Sequence, residues 1–231
     1  MPDASTSVRA RRSARLLFVL ITGLVALTVT SCFVTPIDQD KTAKASTAHL
    51  RDGPQTAQLP GTDVHPITTD PRPVLPATVT DAGGRKVTVA DASRIIAVDI
   101  NGTLGSIVFS LGLGSRMVGR DTSTIFPAAV GLPVVTNRGH SLNAEMVLKL
   151  RPSVLLINQD TTPAGAIDQI RNSGIPVVLF TAIRSLDNNT ELIESVADAL
   201  GVSAEGRALI ARTDRQVAEA RQLVPNPSGN P

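Results

Sequence analysis

Apart from its carboxylates, this 231-residue chain has few side chains that could bind a metal ion or act as a general base at neutral pH. It contains three histidines, one cysteine and neither tyrosine nor tryptophan. His49 and His65 lie in a proline-rich segment, whereas His140 lies in the stretch NRGHSL, between an apolar run and a helix-like run. A neutral imidazole can accept a proton or bind a metal. The chemistry of the folded part therefore depends on where the fold places His140.

The other polar residues do not form the constellation of an enzyme. A hydrolytic metal site would need further histidines or carboxylates at ligand spacing, and His140 has no histidine neighbour in the folded part. Neither a G-x-S-x-G nor a P-loop pattern occurs, and the glycines of LGLGSRMVGR follow a helix-like run instead of a strand. Asp99 and Asp121 end apolar runs, where a carboxylate could be catalytic but usually caps a helix or a turn.

The first 31 residues predict a signal for export. Four arginines precede an uncharged apolar run at 16–29, and small residues precede the cysteine in VTSC at 29–32. This order is typical of a secretory signal peptide. With Cys32 after the cleavage site, it resembles a bacterial lipoprotein signal, which implies that Cys32 anchors the protein by lipid to the extracytoplasmic face of the cell membrane. The alternative is an uncleaved membrane helix at 16–34.

Charge and cysteine content narrow the possible partners. The net charge is only +2, much of the basic excess lies in the predicted signal peptide, and no basic stripe carries interleaved aromatics. We therefore predict no nucleic-acid partner. Because the one cysteine would carry lipid, no disulfide can form, and stability must come from an apolar core.

Residues 32–76 predict a tether between the anchor and the domain. Seven of the sixteen prolines lie there, among threonine, aspartate, glutamine and alanine. A segment with so few large apolar residues cannot offset the entropy lost on ordering. We assign no role to His49 or His65, which lie within it.

The folded part is predicted to begin at Ala77 and to have an α/β fold. ATVTDAGGRKVTVA predicts a β-hairpin around Ala-Gly-Gly. Short apolar runs then alternate with helix-like stretches, which indicates a parallel sheet with helices on both faces. The strands are predicted at 94–99, 116–121, 132–136, 152–157 and 175–180. The helices are predicted at 102–112, at 144–150 with Asn143 as N-cap, and at 163–172, 186–200 and 204–223.

In open α/β sheets, ligands bind beyond the carboxyl ends of the strands. This rule selects the loops at 99–103, 121–126, 137–141, 158–162 and 181–184. His140 lies in the third of these loops, so we expect it on the ligand-facing rim. The alternative is a solvated histidine that hydrogen-bonds the first turn of the next helix.

The signal, tether and hairpin, with the motifs VGRDTSTIFP and RGHSLNAE at 118–127 and 138–145, resemble substrate-binding lipoproteins of ABC importers. The similarity runs from Ala77 to Leu223 and is greatest to members that bind haem, within a group that also binds siderophores and cobalamin. It implies a periplasmic-binding-protein-like N-terminal lobe at 77–200, an importer permease as partner, and haem as the transported ligand. It also implies that His140 is an axial ligand of the haem iron.

If haem is the ligand, further residues are candidates for contact with it. Arg138 would pair with one propionate, and the backbone amides at Gly102 and Thr103 would meet the other. Phe126 stands where many relatives carry tyrosine, and it would pack on the porphyrin face. Leu142 would add to the apolar rim.

The chain also departs from the family pattern. Relatives have two lobes joined by a long helix, and the second lobe supplies an opposing ligand, usually tyrosine. Here residues 201–231 resemble only the connector and a truncated end, so we expect a fragment, a truncated product or half of a split protein. An uncovered face of the connector would promote association; its apolar positions are Val202, Leu209, Ile210, Val217 and Leu223. The alternatives are a ferric-siderophore or cobalamin binder, or a one-lobe anchored module that binds a partner protein.

Overall fold

The computed structural model describes residue 61, residues 63–158 and residues 164–223. The predicted signal peptide, Cys32 and most of the predicted tether lie outside these residues, as does the chain after Leu223. Within the described residues, no helix has the length and apolar character needed to cross a membrane.

The predicted hairpin is present at the start of the domain. Strand β1 (Ala77–Thr80) pairs antiparallel with strand β2 (Lys86–Val89). Buried Asp81 closes the turn between them, because its Oδ1 accepts hydrogen bonds of 2.9 Å from the amides of Gly83 and Arg85. The carboxylate thus satisfies backbone donors that the turn leaves without a strand partner.

Four parallel strands form the central sheet, as predicted. Strands β3 (Ile95–Val98), β4 (Met117–Arg120), β5 (Val154–Asn158) and β6 (Val177–Phe180) stand in the order β4-β3-β5-β6. Every residue of β3 and β5 is buried. Central parallel strands are covered on both faces, which is why their sequences are continuous apolar runs and do not alternate.

The predicted strand at 132–136 is wrong as a full strand. This segment runs beside β4 with a single parallel bridge, Arg120 to Val134, and then turns back so that Thr136 bridges antiparallel to Leu142. Two backbone hydrogen bonds hold it, from Arg120 to the Pro133 carbonyl at 2.9 Å and from Val135 to the Arg120 carbonyl at 3.0 Å. Pro133 has no amide hydrogen to donate, which confines the segment to an irregular edge of the sheet.

Helices cover both faces of the sheet. Helices α1 (Thr103–Ser110), α4 (Asn189–Ala199) and α5 (Ser203–Leu223) pack with the hairpin on one face. Helices α2 (Ala144–Leu150) and α3 (Ala164–Asn172) pack on the other. Successive residues of the strands contribute to opposite faces, so each face has its own apolar cluster.

Helix α4 begins three residues later than predicted. The amide of Ser185 donates to Asn188 Oδ1 at 2.9 Å, and the amide of Asn188 donates to Ser185 Oγ at 3.3 Å. This reciprocal pair resembles a capping box and holds residues 185–188 in a turn before the helix.

The packed domain extends back beyond its predicted start at Ala77. The amide of Ile67 donates to the Ser110 carbonyl at 2.7 Å, and the amide of Val74 donates to the Gly201 carbonyl at 2.8 Å. Ile67 is also partly buried against the core. The end of the proline-rich segment therefore lies along the domain, because its few apolar side chains find partners there.

The apolar face of α5 is covered only near the start of the helix. Val202 and Leu209, which we expected on an uncovered face, are buried in the core, and Ile210 packs against it. Val217 is only half-buried and belongs to neither apolar cluster, and Leu223 has 84% of its surface exposed.

Candidate functional site

The order of the strands places a topological switch point at the carboxyl ends of β3 and β5. From β3 the chain crosses to β4 on one side, and from β5 it crosses to β6 on the other side. Ligands of open α/β sheets bind where neighbouring strands diverge in this way. Polar residues end three of the strands here and are nevertheless buried: Asp99 after β3, Asp121 after β4 and Asn158 at the end of β5.

His140 lies in a tight loop above this edge of the sheet. The amide of Asn137 donates to the Ser141 carbonyl at 2.8 Å and closes the loop. Gly139 and His140 both have left-handed backbone conformations, with φ of 74° and 60°. For a non-glycine residue this conformation costs about 1–2 kcal/mol, and such strain is concentrated at functional sites.

A buried carboxylate orients the imidazole of His140. Nδ1 of His140 lies 2.9 Å from Oδ1 of Asp121. The carboxylate is completely buried, whereas 31% of the histidine side chain is exposed. Ser123 Oγ also approaches Nδ1, at 3.3 Å. Among the residues that the structure describes, none hydrogen-bonds Nε2 of His140, so this nitrogen is available to a ligand.

The expected anion site at the start of α1 is contradicted by the structure. Asp99 already occupies it, because its carboxylate accepts hydrogen bonds from the amides of Thr103 at 3.1 Å and Leu104 at 3.0 Å. The amide of Gly102 donates to the Asp99 carbonyl at 3.1 Å. The amides of Gly102 and Thr103 are therefore not free for a propionate.

Gly102 has a different part in the site. Its φ is 69°, and a Cβ at this position would lie 2.6 Å from the Ser123 carbonyl oxygen. The absence of a side chain lets the start of α1 lie against the loop that carries Asp121 and Ser123. The glycine thus fixes the distance between two of the rim loops.

Arg184 is a rim residue that sequence reasoning missed. Its side chain is largely buried and lies 3.4 Å from Oδ2 of Asp99. The same guanidinium donates to the carbonyls of Thr181 and Ile183. It therefore balances the charge of Asp99 and ties the β6–α4 loop to the end of β3. The only sequence signal was its position on the rim, where an arginine is usually solvated.

Arg138, in contrast, is exposed. Within the described residues, no carboxylate or carbonyl contacts its guanidinium. The charge stands two residues before His140 and is available to an anionic group of a ligand.

The apolar part of the rim differs from the expectation. Leu142 is only 3% exposed and belongs to the core, so it does not line the rim. The ring of Phe126 packs edge-on against Phe109 of α1, with centroids 4.8 Å apart. Exposed aliphatic side chains instead stand in the loops after β3, β4 and β6: Ile100, Ile125, Val130, Ile183 and Leu186.

A parallel sheet with buried polar residues and exposed apolar side chains beyond the carboxyl ends of its strands has the arrangement of the ligand-binding edge of open α/β proteins. The model of the periplasmic binding protein family matches residues 100–230 of this chain. The match covers more than half of the chain, which therefore belongs to this family of substrate-binding proteins and is not an enzyme. The sequence-based assignment of the family and of the fold class is confirmed.

Comparison with individual proteins gives the same family. Over 140 residues the chain is 28% identical to YvrC of Bacillus subtilis strain 168, an uncharacterized ABC transporter substrate-binding lipoprotein; the match covers 59% of this chain and 44% of that protein. The crystal structure of the haem-binding protein HmuT is 38% identical, with a TM-score of 0.69, over 72% of this chain and 54% of that one.

Two further haem-binding proteins share the fold. The apo form of RhuT from Roseiflexus sp. RS-1 is 32% identical with a TM-score of 0.53, over 59% of this chain and 53% of that one. BhuT in complex with two haems is 35% identical with a TM-score of 0.51, over 56% of this chain and 49% of that one. The chain thus spans about half the length of the solved structures that it matches.

Proposed function

We propose that this protein is the lipid-anchored, extracytoplasmic substrate-binding component of an ABC importer, and that it captures haem with His140 as an axial ligand of the iron. One observation carries the proposal: Nδ1 of His140 is bound to buried Asp121, and no group in the described part of the chain uses Nε2. A histidine that binds a metal through one nitrogen commonly donates its other N–H to a carboxylate.

The surroundings of His140 also suit haem. A porphyrin is a large apolar plate with two carboxylates at one edge. The exposed isoleucines of the rim, with Ile125 at 72% exposure, offer apolar surface for the plate, and Arg138 offers a cation for a propionate. HmuT, RhuT and BhuT, which share this fold at 32–38% identity, are haem-binding proteins.

The chain supplies few candidates for the second axial position. The sequence contains no tyrosine, and among the described residues His140 is the histidine that lies at the rim. We therefore propose that water or a group from another molecule occupies the position opposite His140. With water in that position the iron would be six-coordinate and of high or mixed spin, and with the position empty it would be five-coordinate.

The anchor and the permease belong to the same proposal. Cys32 would carry the lipid that keeps the protein on the outer face of the cell membrane, and the B. subtilis relative is named as a lipoprotein. An importer permease would receive the captured haem. Replacing Cys32 by alanine should abolish incorporation of a radioactive fatty acid; labelling that survives the substitution would contradict the lipid anchor.

Haem titration tests the proposed ligand. The purified full chain in detergent should shift the Soret band of added hemin, and His140→Ala should abolish the shift. His65→Ala is the matched control, because His65 lies away from the rim, with its carbonyl bound by Arg212 at 2.7 Å. Parallel titrations with cobalamin and a ferric siderophore examine the other ligands of this group of importers. Equal haem binding by the His140→Ala variant, or preference for cobalamin, would contradict the assignment.

A further inference from the structure

We infer that Asp121 is a positioning residue for His140, which fixes the imidazole in the tautomer that carries its proton on Nδ1 and thereby directs the lone pair of Nε2 to the ligand. The consequence for iron rests on the proposed function, but the tautomer itself is a property of the protein without ligand. Asp121 and His140 are 19 residues apart in sequence and meet at 2.9 Å.

Two neighbours of Nδ1 agree on where the proton lies. An ionised carboxylate can only accept hydrogen bonds, so the pairing with Asp121 requires N–H on Nδ1. Ser123 has a single hydroxyl proton, and its Oγ lies 2.6 Å from the carbonyl oxygen of Ile100, which can only accept. Its proton is therefore committed, and the hydroxyl oxygen can only accept from Nδ1 at 3.3 Å. Both contacts favour the same tautomer.

The burial of Asp121 increases its effect on the imidazole. The side chain has no exposed surface, and its Oδ2 has no hydrogen-bond partner within the described residues. Its charge is compensated through Oδ1, by Nδ1 of His140 and by the amide of Ser123 at 2.7 Å. In the low dielectric of a buried site such a charge polarises its partner more than it would in water.

This arrangement should favour ferric over ferrous haem. The ferric porphyrin core carries one more positive charge than the ferrous core. A carboxylate that donates electron density through the imidazole stabilises the more positive form, so removing its charge should raise the reduction potential of bound haem.

Two substitutions separate a purely structural role of Asp121 from its electrostatic effect on the imidazole. The hydrogen bond from the Ser123 amide to Oδ1 forms a local turn, which asparagine can also form. In Asp121→Asn the amide oxygen can accept from both the Ser123 amide and Nδ1, whereas the negative charge is lost. Asp121→Ala removes both acceptors and the charge.

The first experiment is nitrogen NMR of the histidine-labelled full chain without haem. His140 is identified by the loss of its signals in His140→Ala, since the chain has only three histidines. We expect N–H on Nδ1 in the parent and in Asp121→Asn, and a partial shift towards N–H on Nε2 in Asp121→Ala, because Ser123 Oγ alone still accepts from Nδ1. If the parent carries its proton on Nε2, or if Asp121→Ala leaves the tautomer unchanged, the inference is overturned.

The second experiment measures the midpoint potential of bound haem. We expect Asp121→Asn to raise it by about 59 mV, which corresponds to a tenfold loss of preference for the ferric form in a one-electron couple. Asp99→Asn is the matched control, because Asp99 is also a buried strand-end carboxylate but caps α1 instead of contacting His140. An equal shift in both variants would show a general charge effect and contradict the inference. If the chain binds no haem but His140 carries its proton on Nδ1, the proposed function is refuted and the inference about Asp121 stands.

Discussion

At Gly102, backbone conformation and packing both require a residue without a side chain. Its φ is 69°, and a Cβ would meet the Ser123 carbonyl oxygen at 2.6 Å. Gly139 has a similar φ of 74°, but no atom lies within 4 Å of its Cβ position. We expect Gly139→Ala to lower the free energy of unfolding by about 1–2 kcal/mol through conformation alone, and Gly102→Ala to cost at least about twice as much. Urea unfolding of both variants measures the difference, and equal costs would mean that the contact relaxes freely.

Arg138 allows a test of the charge beside His140. If it pairs with a propionate, Arg138→Ala should weaken haem binding about tenfold without abolishing it, because an exposed charge-assisted hydrogen bond contributes only about 1–2 kcal/mol. The affinity of the variant should also depend less on salt. Lys149→Ala is the control, since this exposed cation lies at the far end of α2. An affinity for haem that is equal in Arg138→Ala and in the parent would contradict the pairing.

At the scale of single residues, sequence reasoning located His140 on the rim but not its partners. The loop position follows from local pattern, because a strand-like run precedes it and a capped helix follows it. The contact with Asp121 and the pairing of Arg184 with Asp99 join residues that are far apart in sequence, at 19 and 85 positions. Such contacts depend on the order of strands in the sheet, which a single sequence does not specify.

At the scale of elements, the features that depend on residues close together in sequence were predictable. Helix α2 occupies 144–150 as predicted, and Asn143 caps it by accepting from the Met146 amide at 3.1 Å. The segment at 132–136 failed as a strand because its pairing depends on a single neighbouring strand and is interrupted by Pro133. The amides at the start of α1 were expected to be free, since nothing local shows that Asp99 folds back onto them.

The cap of α2 should contribute measurably to stability. Asn143→Ala removes the acceptor for the Met146 amide and should lower the free energy of unfolding by about 1 kcal/mol. Asn143→Asp keeps the acceptor and adds a negative charge at the helix N-terminus, so it should be at least as stable as the parent. Urea unfolding of the two variants checks this, and an equal loss in both would show that the side chain does not act as a cap.

At the scale of the whole molecule, five of the seven large apolar side chains that are exposed in the described residues stand at one edge. Ile100, Ile125, Val130, Ile183 and Leu186 all follow strands at the carboxyl side of the sheet, whereas Val74 and Leu223 lie in other parts of the fold. Large exposed apolar patches mark binding sites. In this lobe the patch and His140 lie at the same edge, so a ligand that covers the patch would also reach the imidazole.

The described rim also predicts how firmly it would hold haem. Among the residues that the structure describes, one axial ligand and one set of apolar side chains would contact haem, from one side. Each 100 Å² of porphyrin surface that stays in water lowers the binding free energy by about 2.5 kcal/mol relative to buried surface. The lack of a second strong axial bond weakens binding further. We therefore expect the 231-residue polypeptide to bind haem at least about 100-fold more weakly than HmuT does.

Transfer between the two proteins measures this difference directly. When the haem-loaded full chain is mixed with an equal amount of apo HmuT, the Soret band should change to that of haem-bound HmuT, with nearly all the haem transferred. The matched control starts from haem-loaded HmuT and apo chain, and should show almost no transfer, because both mixtures must reach the same equilibrium. If instead both mixtures leave half or more of the haem on this chain, one rim and one histidine suffice for tight binding. The prediction that this chain binds haem more weakly than HmuT is then wrong.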